Sequence, residues 1–344
     1  MLRAVMCTLM VVAVVCAAMA GDLEDFSEDT RVFRIDPSIT VKKAHFHNRY
    51  GIDLTGDLYL PKDFDASKKY SGIAVAGPFG AVKEQVSGLY AQEMAKAGFV
   101  AMAFDPSFNG ESGGAVRNLP SPEINTEDFS AAIDFLSVQE FIDPERVGII
   151  GVCGWGGIGL NAAAADTRIK ASVISTMYDL SRVSRSGYFD SADSADVRYS
   201  TKTAINAQRV KDYKNGTFAR AGGVVDPLPE DAPQFVKDYY AYYKTPRGYH
   251  KNSVNSNEGW NLTAMITMFN MPMLTFAEEI RSAVLIVHGE KAHSRYMGEE
   301  TFKRLKGDNK ELLIVPGASH CDLYDNMEAI PFAKIVSFFT EYLK

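Results

Sequence analysis

Residues 147–165 read VGIIGVCGWGGIGLNAAAA. The apolar run from Val147 to Gly151 has the composition of a buried strand. A glycine-dense turn carrying one thiol, Cys153, comes next, and the small residues from Ile158 to Ala165 continue as a helix. A chain that passes so sharply from strand to helix needs glycine where backbones crowd, and Gly151 with Gly156 or Gly157 relieves that crowding. A helix starting at Cys153 sets backbone N–H groups and the positive end of its dipole beside the sulfur, which favours thiolate. The competing reading is a structural cysteine in a strand–helix packing site. A phosphate loop is disfavoured, because G-x-x-x-x-G-K-[ST] does not occur here.

Working outward, residues 71–76, 100–104 and 171–175 are further apolar runs, with helical spacing over 85–97 and 126–139. This alternation predicts an α/β fold with a mostly parallel sheet and helices on both faces. Upstream, residues 40–48 and 53–60 alternate apolar and polar side chains around Tyr50-Gly51, which predicts an antiparallel hairpin. Downstream, residues 178–280 break the rhythm, rich in Tyr, Asn and Ser with helical stretches near 200–213 and 232–243, and are too long for a plain connection. A cap inserted before the penultimate strand is expected. The rhythm resumes with strands at 283–288 and 310–315 and helices at 298–305 and 331–343. The expected divisions are a leader at 1–20, a lead at 21–39, core at 40–177, cap at 178–280 and core again at 281–344.

The 344 residues are 46% hydrophobic and 11% aromatic, enough for a large core and incompatible with a disordered chain. The formal net charge of -7 and scattered basic residues argue against nucleic acid as a partner. The first twenty residues combine Arg3, an apolar run to Val15 and Ala18 and Ala20 before Gly21, the pattern of a secretory signal peptide. An exported chain, periplasmic or secreted, is expected, with no stable membrane insertion once the leader is removed; an uncleaved anchor is the alternative. Of the four cysteines, Cys7 and Cys16 leave with the leader. Cys153 and Cys321 remain, to pair as a disulfide or to serve chemistry.

The order Gly151-Val152-Cys153-Gly154, followed by Trp155-Gly156-Gly157, resembles the α/β-hydrolase superfamily. Within it the match is to the dienelactone-hydrolase-like group, whose elbow reads G-x-C-x-G-G with cysteine as nucleophile. The resemblance runs from about Thr40 to the C-terminus. Gly77-Pro78-Phe79-Gly80 stands where the superfamily keeps its oxyanion loop, residues 105–114 (DPSFNGESGG) resemble its D-x-x-G-x-G-x-S loop, and Pro316-Gly317-Ala318-Ser319-His320 stands where it keeps its histidine. The resemblance implies Cys153 as nucleophile, His320 as general base and acid, and N–H groups of Gly154 and of Phe79 or Gly80 for the oxyanion. Trp155, where the group usually has a small residue, bears on the shape of the substrate pocket. For the acid, the loop after the penultimate strand offers Glu290 and no Asp, with Asp179 and Asp322 as rivals; each also reads as a solvated or salt-bridged carboxylate.

The expected activity is hydrolysis of a small or medium ester, lactone or thioester, a small-molecule substrate, through acyl-Cys153. Acyl transfer by the same step is one alternative, and a non-catalytic binding protein on a hydrolase scaffold is another. His45, His47, His250, His288 and His293 show no metal-ligand spacing, so no metal and no cofactor are expected. Cys321, next to His320, reads as a packing residue or as a redox partner of Cys153. The cap aromatics from Tyr239 to Phe269 read as cap core or as walls of an acyl or aryl pocket. Asn215-Gly216-Thr217 and Asn261-Leu262-Thr263 fit N-glycosylation acceptors, relevant only in a eukaryotic secretory pathway.

Overall fold

The computed structural model describes residues 23–26 and 28–344; the expected leader, with Cys7 and Cys16, lies outside them. β1 (Leu23–Glu24), β2 (Thr40–His47) and β3 (Asp53–Leu60) form the antiparallel edge of a nine-stranded sheet. The hairpin register pairs Thr40 with Leu60 and His47 with Asp53, as the alternation predicts. β4 (Tyr70–Ala76), α1 (Val86–Lys96), β5 (Val100–Phe104), α2 (Pro122–Ser137), β6 (Ile142–Val152), α3 (Gly154–Ala165) and β7 (Ile169–Ser175) then alternate. The strand order is β1-β2-β3-β5-β4-β6-β7-β10-β11, where β10 spans Ala283–Gly289 and β11 Lys310–Val315. From β5 through β11 all neighbours are parallel, which places the ends of β4, β6, β7, β10 and β11 along one sheet edge.

The local chemistry explains the boundaries. α2 starts at Pro122 because Ser121 caps it, its hydroxyl accepting from the Ile124 N–H at 3.3 Å. The central strands are buried on both faces, β5 throughout and β10 throughout, which is why they read as continuous apolar runs.

Between β7 and β10 the chain forms α4 (Leu180–Ser186), α5 (Ala195–Asn215), β8 (Arg220–Ala221), α6 (Gln234–Tyr243), α7 (Val254–Glu258), β9 (Trp260–Asn261) and α8 (Ile266–Asn270). α5 and α6 correspond to the expected cap helices. The short pieces have no sequence-length periodicity to announce them. α9 (Arg295–Arg304), α10 (Asp322–Asp325) and α11 (Phe332–Tyr342) complete the core. The lead joins the sheet edge, since Leu23 and Glu24 pair with Ala44 and Lys43. No helix of the described residues is long and apolar enough to cross a membrane. Asn261 is buried, its side chain accepting from Ala264 N–H at 3.3 Å, so the second glycosylation motif is inaccessible, whereas Asn215 is exposed.

Candidate active site

Cys153 stands between β6 and α3 with φ 59° and ψ −127°. This is strained backbone for a non-glycine residue, costing on the order of 1–3 kcal/mol. The surroundings hold it there: its N–H donates to Ser175 O at 2.9 Å, and its carbonyl accepts from Gly156 N–H at 2.9 Å and Tyr178 N–H at 3.0 Å. The crowding expected of the turn is present. A Cβ on Gly151 would fall 2.3 Å from the Trp155 carbonyl oxygen, and one on Gly157 2.3 Å from that of Tyr178.

Burial pushes the Cys153 thiol up from its ordinary acidity. Opposing this are the Tyr324 hydroxyl, the N–H groups of Phe79 and Gly154, and the Tyr239 hydroxyl, all turned toward the sulfur. Phe79 and Gly154 therefore stand where the sequence places the oxyanion donors. Gly80 contributes differently: its carbonyl accepts from the Ser253 hydroxyl of the cap at 2.9 Å, and a Cβ there would meet Ser256 at 2.9 Å. Trp155 departs from expectation. It is 1% exposed, packs edge-on against Phe104 and Phe129, and lies behind the elbow in the core instead of lining the substrate space.

His320 is also buried, and its ring is held by hydroxyls. Thr176 Oγ1 and Ser294 Oγ each lie 2.9 Å from Nδ1, and the Tyr324 hydroxyl lies 3.2 Å from Nε2. Burial, with His293 and His288 nearby, pushes the imidazole well below its usual range, so the ring is neutral at neutral pH.

Among the described residues no carboxylate reaches that ring. Glu290 is exposed, and its carboxylate accepts from Gly317 N–H at 2.8 Å. The expectation that it orients His320 is corrected by this geometry, because loop 289–294 turns Glu290 outward while Ser294 points in. Asp179 caps α4, accepting from Arg182 N–H at 3.0 Å, and Asp322 accepts from Ser319 N–H at 2.7 Å. The loops after β7 and β10 do deliver partners to His320, but as Thr176 and Ser294. Neither is a carboxylate; the available signal was that Thr176 directly follows β7 and that Ser294 lies in the loop after β10. Tyr324, four residues after His320 and on the same turn, carried the same kind of signal.

Above the sulfur is a cavity of about 330 Å³. Phe79, Leu180, Val183, Val224, Phe235, Val236 and Trp260 supply its apolar walls, Tyr178 lines it too, and Tyr239 and Tyr324 bring hydroxyls beside Cys153. None of the described lining residues carries a charged side chain. The cap is pinned over this space: Trp260 stacks on Phe79 at 4.1 Å, and Arg247 donates to Asp325 at 2.6 and 2.9 Å and to the Cys321 carbonyl at 3.0 Å. Cys321 and Cys153 are both free buried thiols. Among the described residues no group of three His, Cys, Asp or Glu side chains is placed to hold a metal ion.

Beneath the Phe79 loop, Asp105 accepts from Lys83 N–H and Glu111 N–H, each at 2.8 Å. The Lys83 ammonium, fully buried, meets Glu84 at 2.7 Å, Asp105 at 3.1 Å and Glu111 at 2.6 Å. Residues 105–114 thus act as a brace under the oxyanion-side loop.

This chain is 51% identical to the Pseudomonas aeruginosa protein PA2218 over 314 residues, 91% of this chain and 84% of that protein. The crystal structure of PA2218 superposes with a TM-score of 0.89, covering 93% of this chain and 99% of that one. YcjY of Escherichia coli is 34% identical over 86% of this chain and 96% of its own. The α/β hydrolase GrgF of Penicillium shares the architecture with a TM-score of 0.71 at 17% identity, over 88% of this chain and 99% of that one. The chain belongs to the family of PA2218 and YcjY, and it has the α/β-hydrolase fold. A thiohydrolase of Aspergillus aculeatus, aneE, is 35% identical over 131 residues, 38% of this chain and 40% of its own. No protein-family model matches. On this α/β-hydrolase fold the parallel strand ends converge on one thiol, one histidine and two N–H groups under a cap, an arrangement chemically suited to forming and discharging a thioester.

Proposed function

We propose that the protein is an exported hydrolase that cleaves a small or medium ester, lactone or thioester through an acyl-Cys153 intermediate. The carrying observation is the strained Cys153 backbone, which holds the sulfur beside the N–H groups of Phe79 and Gly154 at the floor of an uncharged cavity. The thiol and His320 rest as a neutral pair. As sulfur attacks the carbonyl carbon, His320 takes the thiol proton, and the two N–H groups hold the developing oxyanion. The leaving group departs with that proton; water then attacks the thioester. The aneE thiohydrolase likeness supports thioester cleavage in particular. Export rests on the leader pattern at residues 1–20.

The test is a panel of aryl esters, lactones and acyl thioesters read together with intact mass. Cys153→Ala is expected to lose both the acyl adduct and turnover, and Cys153→Ser to keep a weak remnant, because the hydroxyl is a far poorer nucleophile at neutral pH. Full activity in Cys153→Ala would overturn the mechanism. N-terminal sequencing of the mature chain tests export, with a start near Gly21 expected. Acyl transfer is the second reading, favoured by the apolar walls and a thiol only 6% exposed. A transferase would pass the acyl group to an added alcohol or amine in preference to water.

A further inference from the structure

A second histidine is wired to the cavity, and the mechanism above does not use it. The loop after β7 fixes Tyr178 beside the nucleophile, its N–H donating to Cys153 O at 3.0 Å. Its side chain enters the cavity, where the hydroxyl bonds both Nε2 of His293 and, at 2.8 Å, the hydroxyl of Tyr239. The Phe235 ring stacks on His293 at 4.3 Å and 22°, which fixes the imidazole plane. Nδ1 of His293 is buried without a hydrogen-bond partner, so its one polar connection runs through Nε2 toward the cavity. Burial pushes His293 down to about 4, so at neutral pH it is an unprotonated base. Tyr239 and Tyr178 both line the space that Cys153 lines, while His293 stands one hydroxyl back.

His320 is committed to the thiol: Thr176 and Ser294 hold its Nδ1, and the Tyr324 hydroxyl at its Nε2 also faces Cys153, the path by which the thiol proton reaches it. Resting on the acyl-Cys153 reading, we propose that Tyr239, Tyr178 and His293 form a separate proton relay that serves the hydrolysis of the acyl-enzyme. As the water oxygen bonds the acyl carbon, its proton passes to Tyr239. The Tyr239 proton moves to Tyr178 and the Tyr178 proton to Nε2, leaving an imidazolium. When the tetrahedral intermediate collapses, the carbon–sulfur bond breaks and the electron pair stays on sulfur. The proton then returns along the same hydroxyls to the thiolate, which restores the neutral site. His293 is a positioning residue in this scheme, acting through the two phenols.

The separation of acylation from deacylation tests it. The parent chain, Tyr178→Phe, Tyr239→Phe and His293→Phe are mixed with p-nitrophenyl butyrate and with an aryl thioester. First-turnover release is followed by stopped flow and the adduct on Cys153 by intact mass. The relay predicts acylation within about 3-fold of the parent in His293→Phe, which does not line the cavity, and in Tyr178→Phe and Tyr239→Phe a loss in deacylation that exceeds any loss in acylation. Steady-state turnover should fall about 100-fold, within the range general-base removal produces, as acyl-Cys153 accumulates. Three variants guard against one misfolding, since a folding defect lowers the first-turnover amplitude, which the relay leaves intact. Loss of both phases in parallel, or turnover within about 3-fold of the parent, would overturn the relay. Absence of any acyl adduct in the parent and in all three variants would remove the acyl-cysteine reading and the relay together, whereas an adduct that forms in the variants without slowed turnover removes the relay alone.

Discussion

At the residue scale, the deciding feature is that His320 is oriented by two hydroxyls where a carboxylate is the usual partner. Thr176 and Ser294 fix the ring without placing a negative charge against the imidazolium, so the transition state gains less from this position than in a charged triad. Thr176→Val and Ser294→Ala each remove one hydrogen bond of about 1 ± 0.5 kcal/mol, and each should lower kcat/KM about 2- to 12-fold. Glu290→Gln should stay within about 2-fold of the parent, because the carboxylate touches only Gly317 N–H. Steady-state kinetics of the three variants on one ester decide this. A large loss confined to Glu290→Gln would mean that loop 289–294 rearranges in the working enzyme. The neutral His320 also sets an acid limit. Since burial disfavours its protonation, kcat/KM should hold below pH 6.5, the ordinary histidine midpoint, and fall only at lower pH.

At the element scale, the cap and the Phe79 loop depend on one another. Trp260 at β9 stacks on Phe79, and Ser253 beside α7 donates to Gly80 O, so the backbone that presents the Phe79 N–H is held from above by the cap and from below by Asp105 and Lys83. Trp260→Ala should cost about 3–5 kcal/mol, the usual range for truncating a buried tryptophan, and lower kcat/KM as the Phe79 N–H loses its aim. Calorimetry and kinetics on the same preparation check both halves. A stability loss with unchanged kcat/KM would show that the Lys83 side alone positions the loop. The core strands, α5 and α6 were all legible in sequence, because each is long enough for its periodicity to register. β8, β9 and α7 were not, since two- to five-residue pieces take their conformation from the surfaces they land on.

At the scale of the whole molecule, buried ionisable groups of opposite tendency set the response to acid. His288 and His293 are pushed down to about 3 and about 4 by burial, and His320 well below its ordinary value. Below pH 6.5 the unfolded chain takes up protons that these folded histidines refuse, so they withdraw stability as pH falls. Asp57, Asp105 and Asp128 are pushed up to about 6 by burial, so the folded chain binds protons there that the unfolded chain binds only near 3.8. Between about pH 6 and 4 the two sets oppose each other, and stability should be nearly level. Below about pH 4 the unfolded chain protonates its carboxylates as well, while Glu111, held down to about 2 with Lys83 and Lys43 against its burial, still resists. Stability should then drop steeply. Thermal melts from pH 7 to 3 read this directly, and a steady decline from pH 6.5 would mean that the histidines outweigh the aspartates.

The sequence by itself determined the sheet and its elbow. Apolar runs of strand length, alternating with helical periods and ended by glycines at a turn too tight for side chains, leave few other ways to bury 46% hydrophobic residues. It likewise marked Cys153, His320, Phe79 and Gly154, because each lies within a few residues of a strand end, and parallel strands bring those ends to one edge. Only the tertiary structure decided what surrounds them. The orientation of a loop side chain depends on contacts far away in sequence, so Glu290 turns outward, Ser294 turns in, Trp155 fills the core, and Tyr178 meets a histidine 115 positions away. Hydroxyls show no periodicity and no charge, and their roles appear only when burial limits the partners they can reach.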